Sequence, residues 1–238
     1  MIKKTILLSG GHGRLAQALC REGEKLGHNL VPLSRHQMDV TDKSSVERAL
    51  REYKPDVFIH AAAVLADDDR IGMLQVNISG SVNVACACSA FNTKLVYIST
   101  DYVYPKHEVN HAEGDALLPF TSYGWTKLGG ECAVMTYENS LIIRGAFSPV
   151  PFQHPKAYRD VRKNMIYQDS AAGYIVRLLD ERGVINVAER ESRSLLEFAR
   201  QTRPDVEAMT SPSTYQPKES VLSTERLSRL QMDNGDWS

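Results

Sequence analysis

Thr5-Ile6-Leu7-Leu8-Ser9-Gly10-Gly11-His12-Gly13-Arg14-Leu15-Ala16 decides the fold. A short apolar run, Thr5–Ser9, passes without a break into three glycines and then into an amphipathic segment reaching Leu26. Such a run reads as a buried strand, and the segment after it as a helix. Glycines let the backbone turn tightly and approach a pyrophosphate. The positive helix end and its free N–H groups then meet the phosphate charge. Ala16 takes the last small position of the turn, where close packing of helix on strand is the requirement. Gly10, Gly11, His12, Gly13, Arg14 and Leu15 are therefore the expected phosphate-binding residues.

The same alternation continues outward from this turn. Strands are expected at Asn29–Leu33, Asp56–His60, Lys94–Ser99 and Ser140–Arg144. Helices are expected near Gly13–Leu26, Lys43–Tyr53, Gly72–Phe91 and Tyr123–Glu138, each with apolar residues three and four apart. Repeated βα units with right-handed crossovers give an α/β, doubly wound parallel sheet, the Rossmann fold, over residues 1–146. After Arg144 the character changes, with Pro149, Pro151 and Pro155 in a segment rich in turn formers. A helix near Ser170–Leu179, a strand near Val184–Val187, a helix near Ser194–Thr202 and a last helix near Ser223–Leu230 follow. Residues 147–238 are thus read as a small mixed α/β cap, a reduced substrate-binding unit packed in part on the first domain.

Composition narrows the function classes. The 238 residues hold 28 basic and 29 acidic side chains, and no long run of one sign offers a track for nucleic acid. The apolar stretch at the N-terminus is too short for an export signal. No apolar run approaches the roughly 20 residues that span a bilayer, so a cytoplasmic protein without membrane contact is expected. Cys20, Cys86, Cys88 and Cys132 lack metal-ligand spacing and read as free thiols, with no metal.

At the end of the second strand, Ser34-Arg35 stands where NAD-binding proteins of this fold place an acid for the ribose hydroxyls. An arginine there offers a planar fork for a 2′-phosphate, so NADP(H) is favoured over NAD(H). Tyr123-Gly124-Trp125-Thr126-Lys127 puts a phenol and an ammonium one helical turn apart. A phenol titrates near 10, and lowering it by about three units needs about 4 kcal/mol of charge stabilisation. A lysine and a cationic nicotinamide are suited to supply it. Thr100 follows the fourth strand, at the carboxyl edge where such sheets bind ligands, and its hydroxyl is suited to orient a substrate carbonyl.

These residues resemble the extended short-chain dehydrogenase/reductase family, and within it the dTDP-4-dehydrorhamnose reductase branch. The resemblance covers roughly residues 4–146. It rests on the glycine turn, Met38-Asp39-Val40-Thr41-Asp42, and Lys54–Ala63. Ser99–Pro105, Ser122–Glu131 and Ile142-Ile143-Arg144 carry the rest. It implies that Thr100, Tyr123 and Lys127 are catalytic, that Asn77 props up the active site, and that Tyr123 and Lys127 also touch the cofactor. It further implies that Asp39 and Val40 border the adenine and that Ala61, Ala62 and Ala63 line the cofactor cleft.

Asp101, Tyr102, Arg144 and His154 are the candidate substrate contacts. Tyr102 replaces the glutamate of the related dehydratases, which disfavours dehydration, and Asp101 stands where fucose synthases carry a cysteine. The implied reaction is reduction of a 4-keto sugar nucleotide, with Tyr123 as general acid. The alternative is an NADP-binding regulatory or scaffold subunit, because the β-subunit of methionine adenosyltransferase resembles the same reductases. Relatives pair through helices flanking the sheet, so a homodimer is the assembly to look for.

His60 and Trp125 depart from the usual residues of their motifs, Asn and a basic residue respectively. The stretch after Arg144 departs more, being much shorter than in the family.

Overall fold

The computed structural model describes residues 2–65, 68–106, 110–212 and 218–233. Pro217, in the polar tail of the sequence, lies outside them. The chain begins β1 (Thr5–Ser9), α1 (Arg14–Lys25), β2 (Asn29–Leu33), α2 (Lys43–Tyr53) and β3 (Val57–His60). Next come α3 (Arg70–Met73) and α4 (Ser81–Phe91), joined by the π-turn Leu74–Gly80 into one helix, then β4 (Lys94–Ile98), α5 (Ser122–Met135) and β5 (Ser140–Arg144). After β6 (Phe147–Ser148), β7 (Lys156–Tyr158), β8 (Arg162–Lys163) and β9 (Ile166–Tyr167) stand α6 (Gln168–Arg177) and β10 (Gly183–Asn186). The chain ends with β11 (Arg193–Ser194), α7 (Leu195–Arg200), β12 (Glu207–Met209), β13 (Glu219–Ser220) and α8 (Glu225–Asp233).

Six parallel strands form the central sheet in the order β10-β5-β4-β3-β1-β2. Because side chains alternate across a strand, Ile6 and Leu8 of β1 enter one core while Leu7 enters the other. The first core is closed by α1 and α6, through Ala16, Leu19, Ala172 and Ile175. The second is closed by α2, α4 and α5, through Val46, Leu50, Val84 and Val134. Strand order reverses at β1, which has β2 on one side and β3 on the other. A ligand crevice is expected there, beyond the carboxyl ends.

Two expectations need correction. The strand expected near Val184–Val187 lies not in a cap but in the main sheet, where β10 pairs with β5, and α6 packs on α1. A four-residue apolar run marks a buried strand without saying which sheet it joins. The cap proper consists of the short strands β7, β8 and β11–β13 with α7, around Phe152, Ala157, Phe198, Ala199 and Val206. Second, the helix Arg70–Phe91 has 22 residues and is long and apolar enough to cross a membrane by length and composition. In the structure it packs on the sheet between α2 and α5. Its apolar character follows from that burial and from Ile71, Leu74 and Val82, which it leaves exposed.

Candidate active site

A cavity of about 1270 Å³ opens above the carboxyl ends of the sheet. It exceeds the roughly 300–1,000 Å³ of a site for one drug-sized ligand, so a dinucleotide and a second molecule have room. Its floor is the glycine turn. Gly10 adopts a φ of +71°, and a Cβ on it would stand 3.0 Å from the backbone of Ala62. Gly13 caps α1 from an extended conformation and has no side chain to occupy the N–H groups of the helix start. Those amides suit a diphosphate. Gly10, His12, Gly13, Arg14 and Leu15 all line the cavity. Gly11 does not: its N–H bonds Leu33 O at 2.9 Å, and a Cβ there would lie 2.7 Å from the Pro32 carbonyl carbon. Its reading as a cofactor contact is corrected to packing of the turn on β2.

Ser34, Arg35, Asp39 and Val40 form the rim beside β2, and Ala61, Ala62 and Ala63 form the wall after β3. Arg35 is exposed, but its Nε donates to Asp39 Oδ2 at 3.1 Å. Hence an acid does stand near the end of β2, four residues after Arg35. Among the described residues, buried Ser99 Oγ and Gln168 Oε1 have no hydrogen-bond partner, and both residues line the cavity. Unpaired buried polar atoms are costly. Together with the turn amides they fit a ligand rich in donors and acceptors, as a nicotinamide dinucleotide is.

The wall opposite the glycine turn is assembled from the end of β4 and the start of α5. Thr100 caps a short 3₁₀ turn, with Oγ1 accepting from Tyr102 N at 3.3 Å and donating to Asp101 Oδ1 at 3.2 Å. Thr121 caps α5 through Gly124 N at 2.9 Å, which places Tyr123 in the first helical turn. Gly124 is required there, because a Cβ would stand 2.5 Å from Tyr102 O. Thr100, Asp101, Tyr102 and Tyr123 all face the cavity. The rings of Tyr102 and Tyr123 meet edge to face at 6.5 Å. Burial raises the pKa of the Tyr123 phenol, and the neighbouring Asp101 and Tyr102 raise it further. These effects all favour the acid form of the phenol.

Lys127 and Asn77 lie one layer deeper. Lys127 is buried, with Nζ 4.0 Å from the centre of the Tyr97 ring, and burial lowers its pKa to about 7. Asn77, in the π-turn, donates to Val64 O at 2.9 Å and to Thr126 Oγ1 at 3.0 Å, and accepts from Val64 N at 2.9 Å. It ties the cavity wall after β3 to α5 without lining the cavity. π-turns are rare, and they concentrate at functional sites. His60, fully buried, bridges Ser9 Oγ at 2.8 Å and Ser81 Oγ at 3.2 Å, while Ser9 Oγ also accepts from the amides of Ala61 and Ala62. Burial, with Lys127 adding repulsion, lowers the His60 pKa to about 3.

Arg144, expected at the substrate, does not line the cavity. It is 2% exposed, pairs with Glu131 at 2.7 Å, and donates to Tyr104 Oη at 3.0 Å and Glu113 O at 3.2 Å. The last residue of β5 turns inward onto α5, so its guanidinium serves the core. His154 reaches the cavity wall beside Phe152, with Lys156 near it, although Lys156 is paired with Glu207 at 3.1 Å. Sequence reasoning missed Lys163. Arriving from β8 in the cap, it lines the cavity and pairs with Asp101 at 2.7 Å, both side chains 6% exposed. No sequence pattern signals it, since neither Arg162-Lys163-Asn164 nor its distance along the chain from Asp101 suggests the meeting.

Residues 4–148 match the family model described as the RmlD substrate binding domain. Over 154 residues the chain is 31% identical to dTDP-4-dehydrorhamnose reductase of Mycolicibacterium smegmatis, covering 62% of this chain and 46% of that protein. Over 149 residues it is 29% identical to methionine adenosyltransferase 2 subunit beta of Rattus norvegicus, covering 58% and 44%. The chain therefore spans about half the length of the curated relatives it matches. A crystal structure of dTDP-4-dehydrorhamnose reductase from Bacillus anthracis, in complex with NADP, superposes with a TM-score of 0.85. That match has 23% identity and covers 100% of this chain and 95% of the other, so the likeness is one of fold. With a family match running through the glycine turn, the Thr100 strand end and the Tyr123 helix, the chain belongs to the RmlD substrate binding domain family, on an extended short-chain dehydrogenase/reductase fold.

Proposed function

We propose that the protein is an NADP(H)-dependent reductase acting on the 4-keto group of a nucleotide-linked deoxysugar. One observation carries the reading: the glycine turn, the Thr100 strand end and the Tyr123 phenol open onto a single cavity large enough for two ligands. Gly10, Gly13 and the start of α1 would hold the diphosphate, Arg35 and Asp39 the adenosine end, and Ala61–Ala63 the side of the cleft. The nicotinamide supplies the hydride. Tyr123, kept protonated by its surroundings, gives its proton to the carbonyl oxygen as that oxygen gains charge. Thr100 orients the same oxygen, which requires its hydroxyl to leave Asp101 Oδ1. Lys127, whose pKa of about 7 lies near physiological pH, lends positive charge to the phenolate left behind. Asn77 fixes the helix that carries both.

The substrate partner in this reading is a nucleotide sugar. A homodimer covering the exposed Ile71, Leu74, Val82, Trp125 and Met135 of α3–α5 is the assembly proposed with it. Tyr123→Phe should lower kcat at least about 100-fold while NADPH binding, read by its fluorescence, stays unchanged. Full retained turnover of dTDP-4-dehydrorhamnose would defeat the mechanism.

A second reading, a cofactor-binding subunit without turnover, draws on one observation. The Lys127 ammonium rests on the Tyr97 ring, and the groups that shift Tyr123 all act to raise it. Absence of NADPH oxidation across keto-sugar nucleotides, with a heterologous protein co-purifying in fixed ratio, would favour that reading.

A further inference from the structure

The cap delivers one charged side chain into the reacting centre. Lys163 extends from β8, which is held between β11 and β13, and crosses to the carboxyl edge of the main sheet. Its Nζ lies 2.7 Å from Asp101 Oδ2 and 4.3 Å from the centre of the Tyr102 ring. Burial works against its charge, but Asp101 and Tyr102 outweigh burial and hold its pKa above the ordinary lysine value. The other carboxylate oxygen, Asp101 Oδ1, receives the Thr100 hydroxyl at 3.2 Å. Lys163, Asp101 and Thr100 are thus linked in sequence, beside the Tyr123 phenol.

A buried ion pair adds little net stability compared with an apolar pair of the same shape. Packing alone gives no reason for a lysine at this point. Electrostatics gives one. A carboxylate near a phenol opposes the phenolate, and Asp101 is such a neighbour of Tyr123. The other titratable groups acting on Tyr123 are Tyr102 from the exit of β4 and Tyr97 from β4 itself, while Lys127, one turn on in the same helix, rests on the Tyr97 ring. Removal of Lys163 would leave the Asp101 charge uncompensated among them.

We propose that Lys163 is a positioning residue for the reduction. By holding Asp101 in an ion pair it keeps that carboxylate in place and offsets the repulsion that a bare carboxylate exerts on the Tyr123 phenolate. The proposal rests on the reductase reading above and extends it to a residue of the cap.

The test uses the full chain with dTDP-rhamnose and NADP, the oxidation direction, in which Tyr123 must accept the proton. In Lys163→Met the pH at which activity is half lost on the acid side should move up by about one unit. The rate at pH 7 should then fall about tenfold. NADPH affinity should stay within about twofold, because the pair lies at the substrate end. Lys163→Arg should restore the profile, which a merely structural loss would not predict. Should Lys163→Met fail to fold, Lys163→Met combined with Asp101→Asn carries the test. Removing both charges should return the acid limb to that of the unaltered protein. A profile that does not move in Lys163→Met, or a double variant that stays shifted, overturns the proposal alone. No turnover by the unaltered protein, in either direction, overturns the reductase reading and this proposal with it.

Discussion

Arg35 and Asp39 meet at the rim of the cavity, 3.1 Å apart and both accessible to solvent. The pair decides cofactor preference between two opposing tendencies. A guanidinium favours a 2′-phosphate, and a carboxylate favours free ribose hydroxyls. Arg35→Asp replaces the cation with a second anion, so the KM for NADPH should rise about ten- to a hundredfold while that for NADH changes little. Steady-state kinetics with both cofactors checks it, and an unchanged ratio would remove Arg35 from the adenosine end. At this scale the sequence is informative where chemistry is local. The glycine turn, Thr100 and Tyr123 reach the cavity because each sits at a strand end or helix start whose position the pattern marks. Arg144 and Gly11 carry the right residue types but point elsewhere, and only three-dimensional packing separates those cases.

Helix α5 approaches the π-turn of the helix before it so closely that Gly130 has no room for a side chain. A Cβ there would stand 2.3 Å from Tyr97 Oη and 2.6 Å from the Asn77 carbonyl oxygen. The backbone carbonyl cannot swing away cheaply, so Gly130→Ala should push α5 outward at a cost of about 1–3 kcal/mol. For a chain of this size that lowers Tm by roughly 2–10 °C. Activity should fall as well, since the same helix carries Tyr123 and Lys127. Gly173→Ala in α6 is the control: its nearest neighbour would be Arg177 Nη1 at 3.4 Å, and alanine gains helix propensity. Equal melting of the two variants would sink the argument. Strands β1, β2 and β5 and helix α2 coincide with their sequence-based bounds because apolar period and turn residues agree there. The π-turn is invisible in the same reading, since one extra residue per turn leaves no mark in composition. β10 was legible as a strand but not as a neighbour of β5, because that pairing is fixed by a crossover through α6.

Burial of ionisable groups makes the stability of the whole molecule depend on pH, and the sign follows from which state binds more protons. Lys127 has a folded pKa of about 7 against the ordinary lysine value of 10.5, and Lys94 about 8. Between these values and 10.5 the unfolded chain holds protons that the folded chain has released, so stability rises as pH rises from 7. Cys88 and Tyr97 act the other way. Burial raises their folded pKa values above the ordinary 9.0 and 10.0, so their contribution is lost as pH climbs past 9. His60, at about 3 when folded against the ordinary histidine value of 6.5, adds a loss of stability as pH falls from 6.5 toward 3.

The protein should therefore be most stable at mildly alkaline pH, not at neutrality. Lys127→Met isolates the rise, because an apolar side chain of similar length fills the same space without a charge. The variant should melt several degrees above the unaltered protein at pH 7, and the gap should narrow by pH 9. Thermal melts across that range check both statements. A gap independent of pH would mean that Lys127 titrates normally when folded, and that the cost of burying its ammonium is met by a partner in the site.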